Sequence, residues 1–430
     1  MTSMSPVLRS LIIFGLLILV SGCSPQSPVP QATAWPSALP GSEQPEEGTS
    51  TPSSDAGGAV LITVWLPPTF DTAGGNLSAN MLLSRLAEFT DRHPQVRIET
   101  RVKAEGGTGG LLDSLLAAQA AAPLSQPDLV LLPHTQLRTA VQSGVVYPMA
   151  GLTTEHNSDD WYPFAEQMIT VEDQAYGLPF AADALVIAHR PTAVSEIPSN
   201  WSSLLETRRQ LGLAVADPWA QFTLAQLFAL LPPEERSEFS FSPDRLTELF
   251  EFYASAQERG VFPFWLTQYQ TYEQSWQAFT EGRVPMVVAW TSRLFDRRNV
   301  DMNGAPLPTP NGDYFTLVKG WVWAISTPYP ERAELVAELA EFLSTPEFIA
   351  QWSAAAGMLP PRASSLAAWS PDSRQALASQ IVTDAAALPP QDLLDLWGQP
   401  LADAMVAILK QEQTPEEAAQ TVLAAVANPQ

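Results

Sequence analysis

The sequence predicts an α/β fold organised as two domains, and three observations support this prediction. The chain has 430 residues, more than one compact core usually holds. Hydrophobic residues make up 46% of it and charged residues 16%, a composition that can bury sizeable cores and is unlike that of disordered chains. From residue 59 onward, β-rich apolar runs alternate with segments of helical periodicity, as expected of strands joined by crossover helices.

The first elements of the folded part follow each other closely. Residues 60–66 are an apolar run stopped by Pro67-Pro68, which predicts a buried strand. Leu82, Leu86 and Phe89 then recur at helical spacing. The further predictions are a half-exposed strand at 96–103, a helix at 111–122, a buried strand at 128–132, helices at 202–211, 244–259, 272–281, 331–343, 346–356, 400–411 and 415–427, and strands near 184–188, 213–216, 284–290 and 318–325.

The N-terminal part has the pattern of an export signal followed by a linker. In residues 1–22, Arg9 precedes an apolar run that is too short to span a membrane as a mature helix. This run ends at Cys23 in a sequence that resembles the bacterial lipobox, which implies that Cys23 is lipidated; the alternative is a buried free cysteine in a signal anchor. Residues 23–58 are rich in proline and serine, and they are predicted to form a disordered tether.

Several functional classes are excluded or left without support. The chain has 22 basic and 46 acidic residues and a net charge of −24, which excludes nucleic acid as a partner because phosphate recognition needs basic patches. A single cysteine and four widely spaced histidines give no metal-binding motif. The glycine-rich segment 106–110 lacks the spacing of a dinucleotide loop, since position 112 is Leu112. No cofactor is therefore expected, and no local motif demands catalysis.

Tryptophans near predicted strand ends are the most distinctive feature of the composition. Each one alone is more typical of a core. An aromatic face beside a carboxylate nevertheless suits a carbohydrate, because the C–H face of a sugar ring stacks on indole while carboxylates accept hydrogen bonds from hydroxyls. The tryptophans in question are Trp65, Trp219, Trp290, Trp321, Trp323 and Trp397.

A series of short motifs resembles one known family. In chain order they are Glu88-Phe89 with His93-Pro94, Gly109–Leu115, Pro127–Leu132, Tyr176–Ala181, Ala278–Met286, Gly320–Ile325, Gly357–Arg362 and Thr414–Ala418. The series runs from about residue 60 to residue 427 and is similar to the family 1 extracellular solute-binding proteins, the maltose-binding-protein-like receptors of ABC importers. The resemblance implies a type II periplasmic-binding-protein-like fold whose two lobes are joined by three hinge crossings, near Ala182, Ala305 and Ala356.

The resemblance also implies the division of the chain and its role. Lobe 1 would comprise residues 59–182 and 306–355, and lobe 2 residues 183–305 and 356–430. A ligand held between the lobes favours the closed form, because it contacts both lobes only there. The family further implies a monomer that is not an enzyme, lipid-anchored outside the cytoplasmic membrane or in the periplasm, with permease subunits as partners.

Ligand contacts are implied position by position, and the ligand itself stays open. The implied contacts are Thr69, Phe70, His134, Thr135, Asp183, Asp217, Trp219, Trp290, Trp321 and Trp397, with either Trp321 or Trp323 facing the cleft.

A sugar or oligosaccharide is the expected ligand. A polyamine is an alternative, because carboxylates and indoles also bind cations. Glycerol phosphate is disfavoured, because no Lys or Arg is among these positions. A secreted carbohydrate-active enzyme would need two carboxylates facing one bond, and a receptor for a sensor kinase would share the fold.

Overall fold

The structure, a computed structural model, describes residues 59–429 apart from Arg297 and Val300. The predicted export signal, Cys23 and the tether at 23–58 lie outside the described residues. Among the helices of the described part, none combines the length and the apolar character needed to cross a membrane.

The described residues form a mixed α/β fold, which confirms the predicted class. Its strands are β1 (Val60–Leu66), β2 (Val96–Val102), β3 (Leu129–Pro133), β4 (Thr170–Val171), β5 (Gln174–Ala175), β6 (Leu178–His189), β7 (Leu211–Gly212), β8 (Met286–Trp290), β9 (Asn303–Ala305), β10 (Thr316–Ile325) and β11 (Ala385–Ala387). Its α-helices are α1 (Leu77–Arg92), α2 (Leu111–Ala121), α3 (Leu137–Gln142), α4 (Pro163–Ile169), α5 (Trp201–Thr207), α6 (Gln221–Leu230), α7 (Pro243–Glu258), α8 (Tyr272–Thr280), α9 (Thr291–Leu294), α10 (Ala333–Leu343), α11 (Pro346–Ala356), α12 (Ala363–Ala367), α13 (Ser373–Ile381), α14 (Gln391–Leu409) and α15 (Pro415–Ala427).

Local capping explains where several helices begin. The Asn76 side chain accepts the Ala79 N–H at the start of α1. At the start of α15, the side chains of Thr414 and Glu417 each accept the other residue's backbone N–H. Such caps satisfy N–H groups that have no partner inside the helix, and each stabilises a helix by about 1 kcal/mol.

One sheet of the described residues connects most strands, in the order β2-β1-β3-β10-β6-β8-β7. β1 pairs in parallel with β2 and β3, and β10 pairs antiparallel with β3 and β6. β11 and β9 lie beside β10 and β6, and β4 pairs with β5 separately. The first half of the sheet comprises β2, β1, β3, β10 and residues 178–184 of β6. The second half comprises residues 185–189 of β6 with β7, β8 and β9.

β6 and β10 are the strands that link the two halves. β6 is buried along its whole length; its first part pairs with β10, whereas Leu185–His189 pair with β8. Near the crossing predicted at Ala305, that residue still pairs with Ile187 in the second half, and the chain then enters β10, which pairs with β3 and with the first part of β6. Near the crossing predicted at Ala356, Leu359 exchanges backbone hydrogen bonds of 2.8 and 3.0 Å with Ala182. The positions of the three crossings stay predictions.

Apolar side chains cover both faces of the sheet. The larger buried cluster packs around β1, β3 and the first part of β6, and it continues onto one face of β8 through Val287 and Ala289. A second cluster covers the other face of β8, at Met286 and Val288, with residues of α6, α7, α14 and α15. Because the first cluster reaches into the second half, the predicted lobe boundaries stay a prediction.

Candidate ligand-binding site

A cavity of about 840 Å³ lies where the loops of the two halves face each other. The first half contributes the loop after β2, the start of α2, the end of β3 with the residues that follow it, and residues 319–321 of β10. The second half contributes the loop before α6, the start of α8, the end of β8 and the start of α14. The lining residues are Glu105, Gly106, Gly107, Gly110, Leu112, Asp113, Leu116, Pro133, His134, Thr135, Gln136, Asp217, Pro218, Trp219, Gln221, Gln270, Thr271, Tyr272, Trp290, Lys319, Gly320, Trp321, Leu388, Gln391 and Asp395.

Aromatic rings form much of the wall. The Trp219 side chain is 40% exposed, whereas Trp290 and Trp321 are largely buried and line the cavity. The rings of Trp290 and Tyr272 pack with centroids 5.6 Å apart. Burial of the Tyr272 hydroxyl raises its pKa well above the usual range, so this hydroxyl stays protonated. The cavity therefore offers indole surface from both halves.

Asp217 places a buried carboxylate beside these rings. Its side chain accepts the backbone N–H of Trp219 at 3.3 Å and that of Gln221 at 3.1 Å, where α6 begins. Burial raises the pKa of Asp217 to about 6, and the charge of Lys319 partly opposes the shift. Both Asp217 oxygens thus hold the loop, while Trp219 beside them projects into the cavity.

The Asp217 loop rests on α14 at a position that has no room for a side chain. A Cβ atom on Gly398 would lie 2.6 Å from Trp219 Cα and still closer to the Pro218 carbonyl oxygen. Within the loop, Ala220 has a φ of 45°, a left-handed conformation that is uncommon for alanine. Close packing on Gly398 therefore fixes where Trp219 stands.

Lys319 brings a positive charge to the cavity. Its ammonium lies 4.1 Å from the centre of the Trp290 ring, 5.9 Å from that of Trp321, and 3.7 Å from Asp183 Oδ2. Asp183 is itself enclosed, because it accepts hydrogen bonds from the Thr291 hydroxyl and from the backbone N–H and hydroxyl of Ser292. Asp183 does not line the cavity itself; it contacts Lys319, which does.

Two polar groups project from the first half. The indole N–H of Trp321 donates to Glu105 Oε1 at 3.0 Å. The Gln136 amide donates to the Glu105 carbonyl oxygen at 2.8 Å, while its own Oε1 is buried with no hydrogen-bond partner among the described residues. Glu105 is therefore available as an acceptor for hydroxyl groups, whereas the buried Gln136 Oε1 is closed off from the cavity.

His134 lines the cavity but has both ring nitrogens engaged. Nδ1 accepts the Gly320 backbone N–H at 3.0 Å, so Nε2 carries the proton and donates to the Leu388 carbonyl oxygen at 3.0 Å. Burial lowers the pKa of His134, so the ring is neutral. Gly320 has no space for a Cβ, which would lie 2.8 Å from the Ala181 oxygen. His134 thus ties β10 to the segment before α14.

The structure brings six of the ten predicted contact residues to the cavity wall: His134, Thr135, Asp217, Trp219, Trp290 and Trp321. Of the two tryptophans left open on β10, Trp321 lines the cavity and Trp323 is fully buried. Whether these residues touch a ligand stays a prediction.

Four predicted ligand contacts, Thr69, Phe70, Asp183 and Trp397, are not among the residues that line this cavity, and their contact with a ligand stays a prediction. Thr69 is exposed in the 3-10 turn Pro68–Phe70. Phe70 is buried and stacks on Trp352 with ring centres 5.4 Å apart. Asp183 is enclosed as described above, and Trp397 packs edge-on against Phe241 with ring centres 5.0 Å apart.

Other lining residues escaped the sequence analysis. Lys319 could have been noticed as one of only three lysines, directly before the Gly320-Trp321 motif. Glu105 precedes a glycine run that attracted attention only as a turn. The remaining polar side chains missed by the sequence analysis carry no local signal; they are Asp113, Gln136, Gln221, Gln270, Thr271, Tyr272, Gln391 and Asp395.

The chemistry of the wall is that of a binding site for a polar ligand with apolar faces. Indole surface and carboxylate or amide oxygens alternate around it, so hydroxyl groups and C–H faces both find partners. Within the described residues, no group of His, Cys, Asp and Glu could hold a metal ion.

Comparisons with known proteins agree with this architecture. Residues 84–390 match the family described as bacterial extracellular solute-binding protein. The maltotriose-binding protein of Pyrococcus abyssi (strain GE5 / Orsay) is 24% identical over 205 residues, which are 45% of this chain and 44% of that protein. The chain thus matches less than half the length of this curated relative.

Solved structures of similar fold match over most of the chain. The cyclic alpha-maltosyl-1,6-maltose binding protein from Arthrobacter globiformis superposes with a TM-score of 0.71 at 17% identity, covering 86% of this chain and 98% of that one. The sugar-binding protein MalE from Xanthomonas citri gives a TM-score of 0.70 at 18% identity, covering 85% and 96%. These similarities confirm the predicted two-lobed periplasmic-binding-protein-like fold.

Proposed function

We propose that this chain, which belongs to the family of bacterial extracellular solute-binding proteins, is a lipid-anchored receptor that captures a sugar or oligosaccharide for an ABC importer. The observation that carries the proposal is the cavity between the two halves, in which Trp219, Trp290 and Trp321 stand beside carboxylate and amide oxygens. A sugar ring presents the complementary surface, apolar C–H faces edged by hydroxyl donors.

Affinity in such a site needs several contacts at once. One stacked ring contributes about 0.5 to 1.5 kcal/mol, by analogy with aromatic pairs, whereas a micromolar Kd corresponds to about −8 kcal/mol. The lining combines the exposed ring of Trp219 and the largely buried rings of Trp290 and Trp321 with Glu105 and other polar groups from both halves. A ligand that reaches only one half would leave most of these contacts unused, so binding favours approach of the halves.

The sequence supports the location and the anchor. The export signal at residues 1–22 and the lipobox ending at Cys23 would leave a lipid on the first mature residue. Residues 23–58 would then act as a tether between the membrane and the binding domain. Permease subunits are the partners that such a receptor would deliver its solute to.

Relatives guide the choice of sugar. Two maltotriose-binding proteins and a cyclo/maltodextrin-binding protein are among the similar chains, so maltotriose is the first ligand to test. The enzyme alternative has no comparable support, because the family and the similar chains are described as binding proteins.

Thermal denaturation of the purified protein with maltotriose, other oligosaccharides and spermidine tests the proposal. A ligand at about one hundred times its Kd adds about 2.7 kcal/mol to the free energy of unfolding, which raises Tm by several degrees. Calorimetric titration should show Trp219→Ala weakening oligosaccharide binding about threefold to tenfold. The control is Phe264→Ala, which removes an exposed aromatic side chain that does not line the cavity.

Two outcomes would contradict the proposal. If spermidine alone raises Tm, the ligand is a polyamine and not a sugar. If an oligosaccharide binds equally well to the wild type and to Trp219→Ala, the ligand lies outside this cavity.

A further inference from the structure

The charges around the cavity raise a question of selectivity. Four lining carboxylates, Glu105, Asp113, Asp217 and Asp395, face one lysine, Lys319. Indole rings and carboxylates are also the groups that bind organic cations. These groups alone would bind a polyamine or another amine-bearing solute as well as they bind a neutral sugar.

Lys319 already occupies the position that such a cation would take. Its ammonium lies over the Trp290 ring, 4.1 Å from the ring centre, and it is also within 5.9 Å of the Trp321 ring centre. Both distances fall in the range of cation–π contacts. The side chain is 31% exposed, so the ammonium sits at the cavity surface and not behind it.

Its surroundings hold Lys319 in this place. The ammonium lies 3.7 Å from Asp183 Oδ2, and the Asp183 side chain is only 2% exposed. Three hydrogen bonds from Thr291 and Ser292 fix that carboxylate. Lys319 stands opposite Asp183 in the register of β10 with β6, so two buried strands set the position of its backbone.

We propose that Lys319 is a specificity-determining residue that holds the cation position on the face of Trp290, so that the cavity accepts uncharged saccharides and rejects amine-bearing solutes. This inference rests on the proposed function and narrows its substrate class. A second ammonium near Trp290 would meet a like charge at close range, where repulsion in a partly buried site is strong. A sugar hydroxyl instead accepts a hydrogen bond from the same ammonium.

Calorimetric titrations with spermidine and with maltotriose test this role, at pH 7.5 and about 0.15 M salt, where long-range attraction is screened. The variants are Lys319→Gln, which removes the charge, and Lys319→Arg, which keeps it. Lys103→Gln is the matched control, because the Lys103 ammonium also lies over an indole, 4.8 Å from the Trp65 ring centre, but does not line the cavity. All four proteins are compared by circular dichroism for folding, and Lys319→Met replaces Lys319→Gln if that variant does not fold.

The expected result is that only Lys319→Gln gains spermidine binding, by at least about tenfold over the wild type. The inference is overturned if the folded neutral variant gains none, if Lys319→Arg gains as much as Lys319→Gln, or if Lys103→Gln gains as much. Failure of the proposed function looks different: the wild type then binds no saccharide, while the spermidine titrations still decide the role of Lys319.

Discussion

Asp217 and Asp183 are both buried carboxylates close to the cavity, and their surroundings give them different roles. Asp183 is held by three hydrogen bonds and the Lys319 ammonium. Asp217 has two backbone N–H donors, and burial raises its pKa from the ordinary value near 3.8 to about 6. Near neutral pH, Asp217 is therefore ionised, and the burial of its charge lowers the free energy of unfolding.

This effect predicts the pH dependence of stability. The folded state binds the Asp217 proton more tightly than the unfolded state, so protonated Asp217 stabilises the fold. This stabilisation is complete below about pH 3.8 and is lost as the pH rises through about 6. The difference in pKa corresponds to about 3 kcal/mol. From pH 4 to pH 7, the free energy of unfolding of the wild type should fall by about that amount relative to Asp217→Asn, as measured by urea denaturation.

The surface carboxylate Asp392, which pairs with Arg138, provides the control for this experiment. Asp392→Asn should follow the wild-type profile, because exposed ion pairs contribute little. Parallel profiles of the wild type and Asp217→Asn would show that Asp217 titrates normally.

At the scale of elements, α14 positions the Asp217 loop. Gln391 and Asp395 line the cavity, and Gly398 on the same helical face contacts Pro218 and Trp219. Trp397 faces the core instead. One helix thereby joins the second hydrophobic cluster to the loop that carries Trp219.

Gly398→Ala should push this loop away from the helix. The added methyl group has no space beside Trp219 Cα, and such overpacking costs about 1 to 3 kcal/mol. We expect a lower Tm and weaker binding of whichever oligosaccharide the wild type binds. Gln399→Ala, on the exposed side of the same helix, should leave both quantities unchanged; equal effects of the two substitutions would contradict the role of Gly398.

The sequence predicted most helices and strands, but the strand expected near 213–216 lies earlier, as β7 (Leu211–Gly212), and two elements that contain proline were misjudged. The strand near 184–188 is in fact the longer β6, Leu178–His189; its first part contains Pro179, which a register shift opposite Trp321 and Val322 accommodates. The helix predicted at 400–411 begins at Gln391, with Pro400 in its interior, although proline usually interrupts a helix. Tertiary packing overrode the local signal in both elements.

At the scale of the whole molecule, Arg362 anchors the segment that follows Leu359. It is 2% exposed, donates to the Ser344 carbonyl oxygen and to Glu155, and lies 3.6 Å from the centre of the Trp161 ring. Residues far apart in sequence meet at this side chain, so it holds the segment after Leu359 on the first half.

Arg362→Ala should lower the free energy of unfolding by about 3 kcal/mol or more, because buried hydrogen-bond and ion-pair partners lose their counterpart. Urea denaturation gives the measurement. Arg374→Ala, which removes only the more exposed pair with Asp372, should change stability by less than about 0.5 kcal/mol. Similar losses in the two variants would mean that Arg362 is no anchor.

The site could be predicted in part, because aromatic residues near strand ends were the right candidates. Which of them reach the cavity depends on depth along a strand. Trp321 and Trp323 lie on the same face of β10, but Trp321 stands opposite Pro133 at the end of β3 and Trp323 opposite Leu131 in its middle. The spacing of residues in the sequence does not show how far along a strand the cavity lies. Nor does it show that Lys319 lies beside Asp183, which is distant in sequence.

The position of β10 in the sheet also governs the order in which the molecule can assemble. This strand fits between β3 and β6, both of which precede it by more than a hundred residues. A nascent chain that ends before Thr316 therefore has β3 and β6 with their inner edges unpaired. Such long-range pairing slows folding and leaves strand edges open to aggregation. The first half cannot close its own sheet until about three quarters of the polypeptide has been synthesised.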